Sequence, residues 1–355
     1  MKTLDMILPG EIFSGWWKEG HVQGIALDKE KGHMYFSFTT MLLKTDLQGN
    51  PLGSVRRLAG HLGCITFDPD RRRVYGSLEL KHDVIGRDII DRTGWDPNGE
   101  DNFYLVSFDC DRICRMDMDA EADGIMLAVW LKEVVRDYRA TDPVSGQSHV
   151  YGCSGIDGTE YGPAFGSFAP GKIMVAYGIY SQPERQDNDH QVILQWDVSV
   201  IDRFGKPLCQ EKPHHSGPEG CEAQYFVYTG NTRYGVQNLS YDPASRLWLM
   251  AVYRGEKPEF GNFPMFAVDQ TVDPQMDTLK GRGEKGSCLT LASVGNQDAM
   301  GVWGMDFPHG STGLCPVGDG TVYVSLHLAD KEKKLFASRV IRYNFAQGQW
   351  TQIAE

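Results

Sequence analysis

A repeat constrains this chain more than any other feature: three short patterns recur in the same order along most of its length. The first is an apolar strand that runs into a turn. Residues 23–28, 63–69 and 237–243 align directly, and 164–170 and 303–308 read as the remaining two copies. Thr159-Glu160-Tyr161-Gly162, just upstream of one copy, echoes Thr232-Arg233-Tyr234-Gly235 upstream of another. The second pattern is a strand apolar on both faces, at 34–38, 74–78, 173–177, 247–251 and 322–326. A strand sandwiched between neighbouring sheets requires that double-sided character. The third ends in an acid or its amide and a hairpin, at Asp46, Asp117, Asp202, Asp269 and Asn344, with 45–52 repeated as 201–208.

A unit of strands A, B and C with a weaker strand D is a propeller blade, and several such blades close a ring around a channel. The D strands are expected at 53–55, 125–131, 208–210, 288–292 and 350–352, and 11–17 reads as an extra strand that joins the last blade. The prediction is an all-β, five-bladed β-propeller forming a single domain over 1–355, with a closing segment at 1–20 and five blades over 21–353. A six-bladed ring is the alternative. It needs a complete extra unit inside 81–160, where only one set of strand signatures lies.

The apolar-x-Asp-Pro turns at 67–69 and 241–243 and the Asp-x-x-Gly-x-Pro-Leu hairpins at 46–52 and 202–208 resemble those of the NHL and gluconolactonase-like superfamily of bacterial propellers. The resemblance spans about 21–353 and implies architecture, because that superfamily includes lactonases, lyases and binding scaffolds. No glutamate stands early in strand A of the first blade, where metal-dependent gluconolactonases place a calcium ligand, so their activity is not implied.

Composition narrows the function. With 41% hydrophobic and 23% charged residues the chain can bury a large core, and 40 glycines with 17 prolines suit many tight turns. A formal charge of -12 repels phosphate backbones and anionic headgroups, so neither nucleic acid nor membrane is an expected partner. The start of the sequence lacks a signal-peptide pattern, and the longest apolar run, 125–131, is far short of the ~20 residues that span a bilayer. The eight cysteines, Cys153 among them, are scattered, with neither zinc spacing nor disulfide density; a cytoplasmic location with reduced thiols is expected. No Gly-rich phosphate loop, Gly-x-Ser-x-Gly elbow or His-Glu-x-x-His helix is present in the sequence.

If strand A descends from a top face, the D-to-A and B-to-C connections lie on top. The long connections 81–111, 132–162, 180–190, 211–235 and 254–262 are assigned there, with 308–320 at the bottom. Histidines 21, 61, 82, 149, 190, 214, 215 and 327 fall on top by this reading, and 33 and 309 at the bottom. His21 and His61 precede strand A equivalently, Gln23 and Gln237 follow equivalently, and Glu79 and His327 end strand B. Imidazoles and a carboxylate around one axis suit a divalent metal ion or a general base with its orienting partner. His61, Glu79 and His327 are therefore the catalytic candidates, and His21, His61 and His327 the metal ligands. Gln23, Gln237, Asn238, Trp303, Tyr161 and Tyr234 are the substrate-binding candidates. Trp16, Trp17, Trp95, Tyr180 and Tyr253 add flat apolar surface near the top. His214-His215 reads as an exposed loop, and the acidic stretch containing Asp83, Asp88 and Asp96 as a solvated face.

Two functions follow as expectations. One is an intracellular hydrolase, lyase or isomerase acting on a small carbohydrate or lactone-like substrate at the top of the channel, with a divalent metal. The other is a non-catalytic scaffold that presents its top loops to a ligand or protein.

Overall fold

In the computed structural model, which describes residues 8–353 except 59, 95–99, 144, 145, 147, 153, 154 and 179, the two-faced strands stack as a five-bladed propeller. Trp95, Asp96 and Cys153 lie outside the described residues. Blade 1 runs outward from Val22–Asp28 through His33–Phe38 and Met41–Asp46 to Pro51–Arg56. Blade 2 comprises His61–Asp68, Arg73–Leu80, Asn102–Asp109 and Met126–Trp130. Blade 3 comprises Gly158–Gly162, Lys172–Tyr177, His190–Asp197 and Ala223–Tyr228. Val236–Asp242, Leu247–Val252 and Met265–Asp269 form blade 4. Leu314–Pro316, Thr321–Asp330 and Leu335–Ala346 form blade 5.

Burial explains why the B strands carry no polar face. A separate apolar core fills the gap between each pair of neighbours. Tyr35 and Val55 meet Val74 and Tyr104 between blades 1 and 2. Leu105 meets Val175 between blades 2 and 3, and Met174 meets Trp248 between 3 and 4. Leu249 meets Val322 between 4 and 5, and Phe36 meets Tyr323 where blade 5 returns to blade 1. The ring closes at the outer edge of blade 5. Leu335–Ala346 pairs with Gln349–Gln352 at one end and with Glu11–Phe13 at the other, as the reading of 11–17 and 350–352 expected.

The end-of-strand aspartates have a defined role. Asp28 Oδ1 accepts from the amides of Glu30 and Lys31, Asp68 Oδ1 from those of Asp70 and Arg71, and Asp242 from those of Ala244 and Ser245, each fixing an A–B turn. Copies lacking that acid were misplaced. Residues 164–170, with Ala169 at the aspartate position, form the A–B turn of blade 3, whose A strand is Gly158–Gly162. Trp303–Gly304 pairs with Asn296–Gln297 in a separate ribbon, and strand A of blade 5 is Leu314–Pro316. Asp109 and Asp197, not Asp117 and Asp202, end the C strands of blades 2 and 3. Asp202 sits in a short helix, Val200–Phe204, and Asp117 adopts a left-handed φ of 58°. Residues 208–210 form no strand; Ala223–Tyr228 is the fourth strand of blade 3, and Lys285–Cys288 with Gln275–Thr278 extends the sheet beyond it, so that Cys288, expected in blade 4, pairs with blade 3.

Two face assignments also change. The C–D connection of blade 3, 198–222, leaves the bottom and climbs the outer edge of blade 2, where Lys206 bridges Ala128 and the Ser216 carbonyl accepts from the Trp130 amide. His214 and His215 therefore sit on that edge beside Tyr104 and Trp130, not at the channel mouth. Conversely, 308–313 is a top loop, which brings His309 to the upper face.

Helices Val84–Thr93 and Lys132–Arg139 cover part of the top. Asp137, on the second, is 2% exposed and accepts from the Tyr177 hydroxyl at 2.6 Å. Burial pushes its carboxyl up to about 6, against the opposing hydrogen bond from Tyr177. A folded-state value above the unfolded one means stabilisation that is complete at pH below the ordinary carboxylate range and is lost as pH rises through about 6. Asp137→Asn is therefore expected to raise stability by about 2 kcal/mol at pH 7.5 and to flatten the stability profile between pH 4 and 7. Urea titrations across that range measure it, and an unchanged slope would refute it.

Candidate functional site

Backbone irregularity aims the side chains at the axis. The A strands of blades 1 and 4 each bulge by one residue, at Gln23 and at Gln237, and blade 2 bulges between Leu62 and Ile65. Bulges re-aim side chains next to functional sites. B-strand pairing places Asp157 of blade 3 in register with Gln23, Gly63 and Gln237. Glycine is required at position 63: a Cβ there would come within 2.3 Å of Ser77 Oγ and 3.0 Å of Asp157 Oδ1.

His61 and Glu79 face each other across the first two strands of blade 2, with Nδ1 3.1 Å from Glu79 Oε1 and 3.8 Å from Asp157 Oδ1. Lys81 Nζ lies 2.9 Å from Glu79 Oε1, and the Ile156 amide donates to Glu79 Oε2 at 3.1 Å. Gln237 Nε2 donates to Asp157 Oδ2 at 3.2 Å, while Asp157 Oδ1 is buried with no hydrogen-bond donor among the described residues. Donor atoms of His61, Glu79 and Asp157 all lie within 4.8 Å of one another, the one such cluster among the described residues.

The electrostatics follow from burial and pairing. Burial alone would raise the Glu79 carboxyl, but Lys81 and His61 overcome it and hold the group well below its ordinary value. For Asp157, burial and the adjacent Glu79 charge act together and push its carboxyl up. Burial disfavours the His61 cation, yet the Glu79 bond and the Asp157 charge raise its pKa. Burial and the neighbouring His61 and His327 lower His21 to about 3, so this ring stays neutral.

These groups line a cavity of about 390 Å³, shared with His21, Gln23, Tyr234, Tyr253 and the inner face of the Val84–Thr93 helix. Beside it lies a second hollow of about 460 Å³ with His21, Tyr253, His309, Thr312 and His327 on its walls. The His21 and His327 rings meet edge to face at 5.6 Å, so His327 stands one hollow away from Glu79. The structure thus brings His61, Glu79, His21, Gln23, Gln237 and Tyr234 to one cavity and leaves His327 at its neighbour. Among the predicted ligands, His21 hydrogen-bonds Gln23 at 2.9 Å, and neither it nor His327 belongs to the His61 cluster.

Three substrate-binding expectations fail on position. Asn238 is buried, its Nδ2 donating to the carbonyls of Gln23, Gln237 and Ser311, which ties the inner strands together. Tyr161 packs beside Tyr75 in the core between blades 2 and 3, with ring centroids 6.2 Å apart. Trp303 lies in the 296–304 ribbon, away from both hollows. Asp157 and Lys81 escaped the sequence reading. Correct placement of the blade 3 A strand is the signal that would have found Asp157, since it then aligns with Gln23 and Gln237.

Among the described residues no helix is long and apolar enough to cross a membrane. The chain matches no protein-family model and no curated protein. Solved structures to which it is similar include hydrazine synthase of Kuenenia stuttgartiensis, at 9% identity and TM-score 0.39, covering 94% of this chain and 83% of that one. The β-propeller domain of Myceliophteria thermophila Cps50 (Swd1) is similar at 8% identity and TM-score 0.35, with 92% and 84% covered. A chain of the mitotic checkpoint complex gives 7% identity and TM-score 0.34, covering 93% of this chain, which spans 61% of that one. Likenesses at this level carry no chemistry over to the present chain.

Proposed function

We propose that the top cavity is the catalytic site of a hydrolase, lyase or isomerase for a small sugar-like or lactone-like substrate, assisted by a divalent cation held by His61, Glu79 and Asp157. The observation that carries this reading is the convergence of an imidazole and two buried carboxylates, one oxygen of which has no donor of its own among the described residues. A bound divalent ion supplies Lewis acidity to a carbonyl or carboxylate oxygen and lowers the pKa of water. Lys81 keeps Glu79 ionised, and Gln237 turns Asp157 so that Oδ1 faces His61. Neutral His21, steadied by Gln23, offers a hydrogen-bond partner without charge, and Tyr234 with Tyr253 supplies an aromatic wall for a ring.

A cavity in which His61, Glu79, Lys81 and Asp157 converge on an otherwise largely apolar wall favours this reading over a scaffold that presents its loops. Metal analysis of the purified protein, with titration of manganese and zinc, tests it. Asp157→Asn is expected to weaken binding at least about tenfold, whereas His327→Ala leaves it unchanged. Absence of binding, or equal affinity in Asp157→Asn, would overturn the metal assignment and leave the scaffold reading.

A further inference from the structure

A third hollow adjoins the proposed catalytic cavity and has the opposite electrostatic character. It encloses about 640 Å³ between the tops of blades 1 and 2, with Lys18, Arg56, Arg57 and Arg92 on its walls against one carboxylate, Glu19. Cations thus predominate on the wall itself, although Asp88, Asp117 and Asp119 stand behind the three guanidinium groups. Arg92 lines both spaces, and Gly60, on the wall of the basic hollow, is bonded in sequence to His61 of the metal cluster. The Arg92 side chain therefore stands between the two spaces.

Carboxylates outside that wall hold the guanidinium groups in place. Asp117 and Glu19 pair with Arg56, Asp119 lies 3.3 Å from Arg57 and Asp88 lies 2.9 Å from Arg92. The donors that these carboxylates leave over remain available, because the Arg57 and Arg92 side chains are 68% and 41% exposed. Lys18, also exposed, makes no ion pair among the described residues. Arg57 adopts a left-handed φ of 57°, a conformation that costs a non-glycine residue energy and concentrates at ligand sites.

We infer that this hollow is a subsite for an anionic group of the substrate, phosphate or carboxylate, whose reacting end lies at His61, Glu79 and Asp157. The inference rests on the catalytic reading for its second half only; the anion site stands on its own geometry. Guanidinium groups match tetrahedral or planar oxyanions through paired donors, and Lys18 adds a point charge. The substrate class narrows accordingly to a sugar phosphate or a sugar acid, bound by its charge and presented by its neutral end.

The test uses inorganic phosphate and acetate as probes on the full chain, by calorimetry at constant ionic strength set with chloride. Saturable phosphate binding is expected in the intact protein, weakened about tenfold in the double variant Lys18→Gln/Arg57→Gln, with the melting temperature and manganese affinity unchanged. Acetate binding comparable to that of phosphate would assign the site to a carboxylate, and much weaker binding to a phosphate. No binding of either anion, or equal binding in the double variant, would overturn the subsite. Asp157→Asn separates the two proposals: it should retain phosphate while losing metal, so failure of the metal reading leaves the anion result legible.

Discussion

Glu79→Ala is expected to destabilise the protein by about 3 kcal/mol, because it removes the nearer, 2.9 Å carboxylate partner of the buried Lys81 ammonium and leaves that charge to Asp83 at 3.5 Å. His61 loses its orienting oxygen in the same step. The stabilisation from Glu79 is present above the ordinary glutamate range and is lost as pH falls through its depressed folded value of about 2, so the difference between variant and parent should shrink, without vanishing, by pH 3. Urea unfolding at pH 7 and near pH 3 measures both parts. A loss below about 1 kcal/mol at pH 7 would show that Asp83, 3.5 Å from the Lys81 ammonium, compensates and that the Glu79–Lys81 pair is not a structural hinge of the site. Glu79→Gln, which keeps the volume, should recover part of the stability yet still bind metal poorly, separating the fold from the proposed chemistry.

Trp248→Ala should cost a similar amount, about 3–5 kcal/mol, by a different mechanism. Its ring is fully buried between blades 3 and 4, with centroids 4.8 Å from Phe165 and 5.1 Å from Tyr241. The indole N–H donates to Gln270 Oε1, while Gln270 Nε2 holds the carbonyls of Ala164 and Ser167. Truncation therefore opens a large cavity and loosens the amide that pins the A–B turn of blade 3. Gly162 already yields space to this ring, since a Cβ there would lie 2.8 Å from the indole edge. Denaturant titration reads the effect, and a shift within 1 kcal/mol would mean that the blades can slide inward to refill the gap.

The five B strands were legible because burial between blades imposes apolar residues on both faces, interrupted only by a small buried residue such as Ser37, Ser77 or Ser325, a pattern independent of turns. The A strands of blades 1, 2 and 4 were legible because an aspartate two residues before the first turn amide caps the turn that follows; that of blade 3 was not, because Ala169 stands at the aspartate position, and that of blade 5 was not, although Asp319 binds Thr321 in its A–B turn. Blade 3 therefore slid by several residues, and with it Asp157 disappeared from the ring of axial side chains. His61 and Glu79 were found because both end their strands on the same side of blade 2, which strand register alone ensures. Lys81 was invisible: a lysine two residues beyond an acid reads as a solvated loop, and only the fold shows it 4% exposed. The path of 198–222 along blade 2 has no local pattern, since its pairing is with residues about 80 positions earlier.

The outer strand of blade 5 has a consequence for how the ring assembles in time. Ile353 donates its amide to the Arg342 carbonyl, and the Arg342 amide donates to the Gly10 carbonyl, so the two chain ends meet head to tail along Leu335–Ala346 as a strand with a gap in its covalent backbone. No local turn can nucleate the half contributed by Glu11–Phe13, because its partners lie at Arg339 to Ile341, across nearly the whole contour of the chain. Loop-closure entropy is therefore charged in full before this contact forms, which makes it a late event in folding and an early one to open. Hydrogen exchange should accordingly find the amides of Ser14 and Arg342, which donate to the Ser338 and Gly10 carbonyls, less protected than those of the interior B strands, and the seam, rather than any single blade, becomes the place where the circle comes apart.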